Sequence, residues 1–300
     1  MEPAAKLPFP EPPLGEDELD LRGQSVELHR RKYYPAVNGR QRRTISIAFL
    51  ASLSVASFAR PAFADDKADR VAHEFVTALG GEGAWNRARQ LRFDFVVERE
   101  GKRAAEFHHL WDRYTGDYRL LGADKSGAPY AVYFNVNSRD GTAFVNGRRV
   151  EGEEKKKLLE NAYGRFINDT YWLLAPWKVF DPGVHRDYDG EKTGPDGVAC
   201  DVIRLSFDDN VGLTPKDVYW LWVTREGRRM VQWQYVLGGA QEEPTTALWK
   251  GWKNVGGISL SLEKTMSGRP IRILFENVAV STSRDDKDFA APPAPASPAR

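Results

Sequence analysis

Leu91-Arg92-Phe93-Asp94-Phe95-Val96-Val97-Glu98 is the stretch that decides the fold class. In an extended chain Leu91, Phe93, Phe95 and Val97 share one side, while Arg92, Asp94 and Glu98 point to the other. A strand with one apolar and one polar side belongs to an antiparallel sheet that buries one face and wets the other. Downstream, Glu100-Gly101 turns into Arg103–Asp112, and Thr115-Gly116 leads into Tyr118–Leu121. Ser126-Gly127 then precedes Tyr130–Asn137, and Arg139-Asp140-Gly141 turns into Thr142–Val150. Strands resume at Ala199–Phe207, Val218–Thr224, Met230–Leu237, Ile258–Thr265 and Arg269–Val280, with turns at Glu226-Gly227 and Ser267-Gly268. Asp65–Leu79 reads as an amphipathic helix, with Ala68, Val71, Ala72, Phe75, Val76 and Leu79 at three- and four-residue spacing. Acidic residues open it and Gly80-Gly81 ends it. Glu153–Tyr163 and a short aromatic helix at Asp169–Ala175, stopped by Pro176, interrupt the strands. About ten antiparallel strands, an N-terminal helix and a central helical insertion predict a mainly β (α+β) fold: a curved antiparallel sheet forming an open half-barrel.

The flanks of this domain are different in kind. Residues Met1–Arg40 are rich in Pro, Glu and Arg without a sustained apolar period, and read as a disordered or mis-assigned extension. Residues 41–64 read as a signal peptide, with Arg40-Gln41-Arg42-Arg43 as the positive region. Thr44–Ala59 follows as sixteen uncharged residues, and Ala62-Phe63-Ala64 supplies the small-x-small cleavage pattern. At a helical rise of ~1.5 Å per residue that apolar run reaches about 24 Å, short of the ~30 Å hydrocarbon core a transmembrane anchor must cross. Cleavage after Ala64 and a periplasmic location are expected. Initiation at Val37 would give the leader an ordinary length; a cellular peptide from Met1–Arg30 would exclude that start. Residues 65–289 form the expected domain, and the Ala/Pro-rich residues 290–300 the expected disordered tail.

Lys and Arg number 43 against 42 Asp and Glu. No global field favours nucleic acid, and membrane contact is expected to be peripheral or transient. Cys200 is the only cysteine, which excludes an internal disulfide and a cysteine-paired zinc site. Burial must therefore hold the domain together, and nine tryptophans supply apolar area for it.

The central block Ala162-Tyr163-Gly164-Arg165-Phe166-Ile167-Asn168-Asp169-Thr170-Tyr171-Trp172-Leu173-Leu174 continues as Ala175-Pro176-Trp177-Lys178 and Asp181-Pro182-Gly183-Val184. With Val211-Gly212-Leu213-Thr214-Pro215 and Tyr219-Trp220 it resembles a branch of the LolA/LppX-like periplasmic lipoprotein-carrier superfamily. The resemblance covers most of 65–280. It implies a half-barrel whose hollow, closed by a helical lid, holds a lipid, an acyl chain or a lipoprotein.

Within the central block, Phe166, Tyr171, Trp172, Leu173 and Trp177 have two readings: a lid whose aromatics touch an acyl chain, or a plug that fills the sheet as core. On the strands, Phe93, Phe95 and Val97 are the expected early wall, and Trp233 and Tyr235 the late one. Trp220 and Trp222 share a face, but Tyr219, Leu221 and Val223 make the other equally apolar, so that strand is not oriented. His108 and His109 alternate, and only one can point inward. Asp94 and Glu106 are carboxylates that could pair only in space. Asp169 and Thr170 read as a helix cap. Asp181, His185, Asp187 and Asp189 match neither a calcium loop nor a zinc spacing, and read as a solvated loop. No nucleophile elbow, metalloprotease helix or phosphate loop occurs, so no catalytic residue, metal or cofactor is expected. The reading that emerges is an exported, non-enzymatic periplasmic protein that binds a lipid, an acyl chain or a lipidated partner. An envelope sensor or scaffold binding a protein through the same sheet is the alternative, and an unrecognised hydrolase the less favoured one.

Overall fold

The computed structural model describes residues 66–240 and 243–292. The extension, the signal segment and residues 293–300 lie outside them. Strands β1 (Gln90–Arg99), β2 (Lys102–Asp112), β3 (Asp117–Ala123), β4 (Pro129–Asn135), β5 (Gly141–Val145) and β6 (Arg148–Val150) form one up-and-down meander. A second meander contains β7 (Val184–Thr193), β8 (Ala199–Phe207), β9 (Val218–Thr224), β10 (Met230–Val236), β11 (Thr245–Val255), β12 (Ile258–Met266) and β13 (Ile271–Ser281). β1 pairs antiparallel with β13, Leu91 opposite Val280 and Phe95 opposite Phe275, fusing the two into a thirteen-stranded sheet. The order β6-β5-β4-β3-β2-β1-β13-β12-β11-β10-β9-β8-β7 leaves β6 and β7 as the two edges of an open, curved sheet.

That order carries a consequence. The chain leaves the sheet at one edge, after β6, and re-enters at the opposite edge, at β7. The connection is helix α3 (Gly152–Leu174) followed by a 3-10 turn, Ala175–Trp177. Its 23 residues cover about 34 Å at ~1.5 Å each, whereas thirteen strands laid flat would be roughly 58 Å wide. Curvature of the sheet and the turns after α3 make up the difference, so the helix lies over one face, against β4, β5 and β12. α1 (Asp66–Ala78) covers β7 and β8 on that same inner side, burying Ala68, Val71, Ala72, Phe75 and Val76.

Several local readings change. The central segment is one helix rather than two. Gly164 and Asn168-Asp169-Thr170 weaken helix propensity, yet burial of Ala162, Arg165, Asp169, Thr170 and Trp172 carries the helix through them, with Thr170 Oγ1 donating back to the Phe166 carbonyl at 2.5 Å. Asp169 is mid-helix rather than a cap. Gly80 ends α1 with φ of +125°, and α2 (Gly81–Arg87) follows where only a stop was expected. Arg113 satisfies the carbonyls of Trp85 at 2.6 Å and Ala88, while Trp85 stacks on Trp177 with ring centroids 5.2 Å apart. Tertiary contacts, not propensity, hold this short helix.

Thr142–Val150 is two strands, because Asn146 and Gly147 take φ of +50° and +72° in a tight hairpin turn. β7 is a strand where the sequence predicts a charged loop; edge strands carry such charges because they discourage pairing with other chains. β11 has no counterpart among the strands the sequence predicts, its period masked by Lys250-Gly251 and Lys253-Asn254.

The Gly80 conformation is also a close approach: a Cβ there would sit 2.5 Å from the Gly257 carbonyl oxygen. Gly147 shares a left-handed φ but faces open space. Gly80→Ala is expected to lower stability by about 2–4 kcal/mol and Gly147→Ala by about 1 kcal/mol, as measured by urea denaturation of each variant.

Candidate functional site

The underside of α3 and the wall it covers form the candidate site. The residues expected to touch a ligand lie in or against the buried inner-face core. Phe93, Phe95, Val97, Trp172, Leu173, Trp177, Trp233 and Tyr235 belong to one buried cluster, with Phe166 and Tyr171 packed against it. Alternation explains the wall: inward β1 residues match Phe275 of β13, which meets Phe95 edge-on at 5.5 Å and Phe93 at 5.7 Å. In β9, Tyr219, Leu221 and Val223 face inward and Trp220 and Trp222 outward, which orients the strand that pattern left open.

Toward its C-terminal end, α3 meets the wall through rings. Trp172 packs on Trp233 at 4.6 Å and edge-on to Tyr235 at 5.9 Å. Tyr171 lies 5.3 Å from Tyr219 and 5.8 Å from Trp233, and Trp249 extends the row 5.3 Å beyond Trp233. Such pairs contribute about 0.5–1.5 kcal/mol each beyond area burial. Trp177 Nε1 donates to the Ser259 carbonyl at 3.2 Å, pinning the turn that ends the helix.

Near its middle, α3 meets the wall through buried polar groups. His109, the inward member of the histidine pair, stacks on Phe93 at 4.5 Å and 11°. Its Nε2 stands 3.1 Å from Asp169 Oδ2, an electrostatic approach off the hydrogen-bond axis, with both side chains fully buried. Arg165 Nη1 approaches both Asp169 oxygens at 3.5 Å, and its guanidinium lies 3.5 Å from the centre of the Phe107 ring. Asn168 donates to Asp169 Oδ1 at 2.7 Å. Burial opposes ionisation of Asp169, but Arg165, His109 and Asn168 outweigh it and hold its carboxyl below the usual range. Burial pushes the His109 imidazole down in spite of Asp169, and pushes the Tyr118 phenol well up. A neutral His109 beside an ionised Asp169 assigns the proton to Nε2, so Nδ1 accepts from the Tyr118 hydroxyl at 2.6 Å. The Arg165 end is looser: both contacts are long, and its Nε has no acceptor among the described residues.

A second polar group occupies the outer face. Ligand-capable atoms of Asp94, Glu106 and His108 lie within 4.8 Å of one another. The carboxylates that could pair only in space do come together there. Asp94 accepts from Asn277 at 2.5 Å and meets His108 Nδ1 at 2.7 Å, while Arg103 bridges Glu106 and Glu276. Asn277 reaches Asp94 from a bulge on β13, where its φ is +48°. Arg103 offsets part of the carboxylate charge, and the sheet separates these groups from the inner face. Asp187 and Asp189 lie on edge strand β7 in ion pairs with Arg204 and Lys192.

Pattern reading missed His109, Tyr118, Arg165 and Asp169 as a unit, because two strands and a helix supply them. A trace existed in Arg165 and Asp169, four residues apart within an otherwise apolar block.

No family profile and no curated protein matches the chain. Among solved structures it is similar to a LolA superfamily protein from Nitrosomonas europaea, at 12% identity and a TM-score of 0.45, covering 75% of this chain and 97% of that one. It is also similar to a putative outer membrane lipoprotein-sorting protein domain from Vibrio parahaemolyticus, at 10% identity and 0.41, covering 74% and 96%. MucB in the MucA/MucB complex of Pseudomonas aeruginosa matches at 16% and 0.25, covering 74% of this chain and 61% of that one. These are distant likenesses of fold.

The buried pair makes stability depend on pH. Unfolded histidine protonates near pH ~6.5, whereas folded His109 resists until a lower pH, so the unfolded state binds the extra proton in between. Stability should fall as pH drops below ~6.5, by at most about 1.4 kcal/mol per pH unit from this group. Asp169 has the depressed carboxyl, so its contribution is present above ~3.9 and is lost only at lower pH. Urea midpoints of wild type and His109→Gln between pH 7.5 and 5 should show a shallower slope in the variant. Asp169→Ala, which strands Arg165, should cost about 3–5 kcal/mol at pH 7.5.

Proposed function

We propose that the protein is an exported periplasmic carrier that holds a lipid, an acyl chain or the lipid of a lipidated partner beneath α3. The observation that carries this reading is the construction of the inner face. A single helix, joined at both ends to opposite sheet edges, covers an aromatic wall through ring contacts and a loosely bonded ionic group. Ring-to-ring contacts are non-directional enough to be exchanged for contacts with methylenes, each worth about 0.8 kcal/mol when removed from water. The role needs no bond-making step, and the reading assigns no catalytic residue. The leader read in residues 41–64 supplies the route to the periplasm, with cleavage after Ala64.

On this reading α3 lies closed on the wall. Trp172 and Tyr171 occupy the space an acyl chain takes when α3 lifts. Release is closure, driven by recovery of the Trp172–Trp233 contact and of Asp169 against His109. The affinity for an acyl chain is reduced by whatever free energy favours closure. The scaffold reading calls for a filled interior and an exposed apolar patch, the carrier reading for an interior cavity. The large apolar residues exposed among those described, Tyr114, Val198 and Leu213, sit on three separate loops.

Native mass spectrometry of protein released gently from the periplasm, with lipid extraction, is expected to show a stoichiometric lipid adduct. A clean apo mass together with no binding of offered acyl chains would reject the carrier reading. His109→Gln replaces the imidazole that faces Asp169 across the helix–wall interface. It should raise apparent acyl-chain affinity by roughly threefold to tenfold, since a weakened closure of about 1 kcal/mol favours the open state by that order.

A further inference from the structure

Lys264 lies on the inner face of β12, opposite Trp249 on β11 and Ile273 on β13. It is fully buried. Its Nζ donates to the Ser261 carbonyl at 2.5 Å and stands 4.1 Å from the centre of the Trp249 ring and 4.6 Å from that of Phe275. No carboxylate among the described residues forms an ion pair with it. An ammonium carries three hydrogens, and here one acceptor serves them. The two tryptophans nearest in the row, Trp249 and Trp233, are also almost wholly buried, and neither Nε1 has an acceptor among the described residues.

The inner wall beneath the Trp172 end of α3 therefore holds three buried donor groups, the Lys264 amine and two indole N–H groups, with fewer acceptors among the described residues than they have hydrogens. Leaving a buried donor unmet forfeits its hydration without replacing it. An apolar residue of similar length, such as Met, would avoid that cost at position 264. The fitting complement is a group with acceptor atoms only, carrying a negative charge, at the end of an apolar body. A carboxylate has two oxygens with about four acceptor positions. A fatty acid presents one at the tip of a single chain, and the rest of the ligand is what the aromatic wall accommodates. Burial drives the Lys264 amine well below its ordinary range, and a carboxylate beside it would restore the charged form.

We propose that the ligand class of this site is a long-chain free fatty acid, whose carboxylate is held by Lys264 with the indole N–H groups of Trp249 and Trp233. The proposal rests on the carrier reading and narrows it from acyl chains in general to chains ending in a carboxylate. An esterified acyl chain, as on a lipoprotein, lacks that charge and offers Lys264 only the weaker, neutral acceptor of its carbonyl.

The test is calorimetric titration of the exported, delipidated protein with palmitate and with methyl palmitate, which share a chain and differ in the charged end. Wild type is expected to bind palmitate at least roughly tenfold more tightly, the order of a charge-assisted hydrogen bond. Lys264→Met should abolish that preference while still binding both ligands. Equal affinities in wild type would overturn the fatty-acid proposal and leave the carrier reading standing. Binding of neither ligand would remove both. A preference surviving in Lys264→Met would overturn the assignment to Lys264. If that variant fails to fold, Trp249→Phe keeps a ring and deletes one donor; its preference should fall severalfold, and an unchanged preference would overturn the proposal there.

Discussion

The fold depends on one topological constraint: β6 and β7 are consecutive strands placed at opposite edges of one sheet. Pairing β1 with β13 puts the start and end of the sheet at its centre and pushes the middle of the chain to the outside. The segment between β6 and β7 must therefore traverse the sheet, and a helix does so with its backbone hydrogen bonds satisfied internally. It lies on the inner face because that is where the strands project their apolar residues. Position and burial of α3 follow from connectivity before any side-chain contact is considered.

A helix tethered at both ends and packed across a curved sheet can be held tightly or loosely, and this one is held in two ways. The Trp172 end is held by rings, with large area and little directional demand. In the Asp169 region the contacts to Arg165 and Asn168 lie within α3, and the approaches of Asp169 to His109 and of Arg165 to the Phe107 ring cross to the wall. Buried ion pairs with imperfect geometry add little net stability, because desolvation offsets most of the attraction. Across the interface Asp169 faces His109, which stacks on Phe93 and bonds to Tyr118.

Alternation in Leu91–Glu98 and its echoes made the sheet legible, because period two is a local property that survives without knowledge of partners. Helix α1 was legible for the same reason at period 3.6. β7 and β11 were not, since an edge strand rich in charge and a strand broken by Lys-Gly and Lys-Asn carry no clean period. The split of α3 was misread where Asn168-Asp169-Thr170 mimics a cap; only the distant His109 explains an aspartate mid-helix. The candidate ring residues were visible as an aromatic block, yet which of them meet across the interface depends on the β1–β13 register. That register pairs residues almost two hundred positions apart, beyond any local signal.

The inner face also raises a question of economy of design. His109 and Lys264 both occupy inward parity positions in strands whose other inward residues are largely apolar, so alternation would have placed valine or methionine there. Asp169 and Arg165 similarly interrupt the apolar underside of α3. A sequence selected only to close this sheet would do better without all four, given what it costs to bury charge. The pair on the helix has its counterpart on the wall in His109, which gives the closed state a defined geometry. Lys264 has no such counterpart on the helix, only a backbone carbonyl of its own strand. His109, Asp169 and Arg165 thus contact one another between helix and wall, whereas the Lys264 amine meets a backbone carbonyl and two aromatic rings.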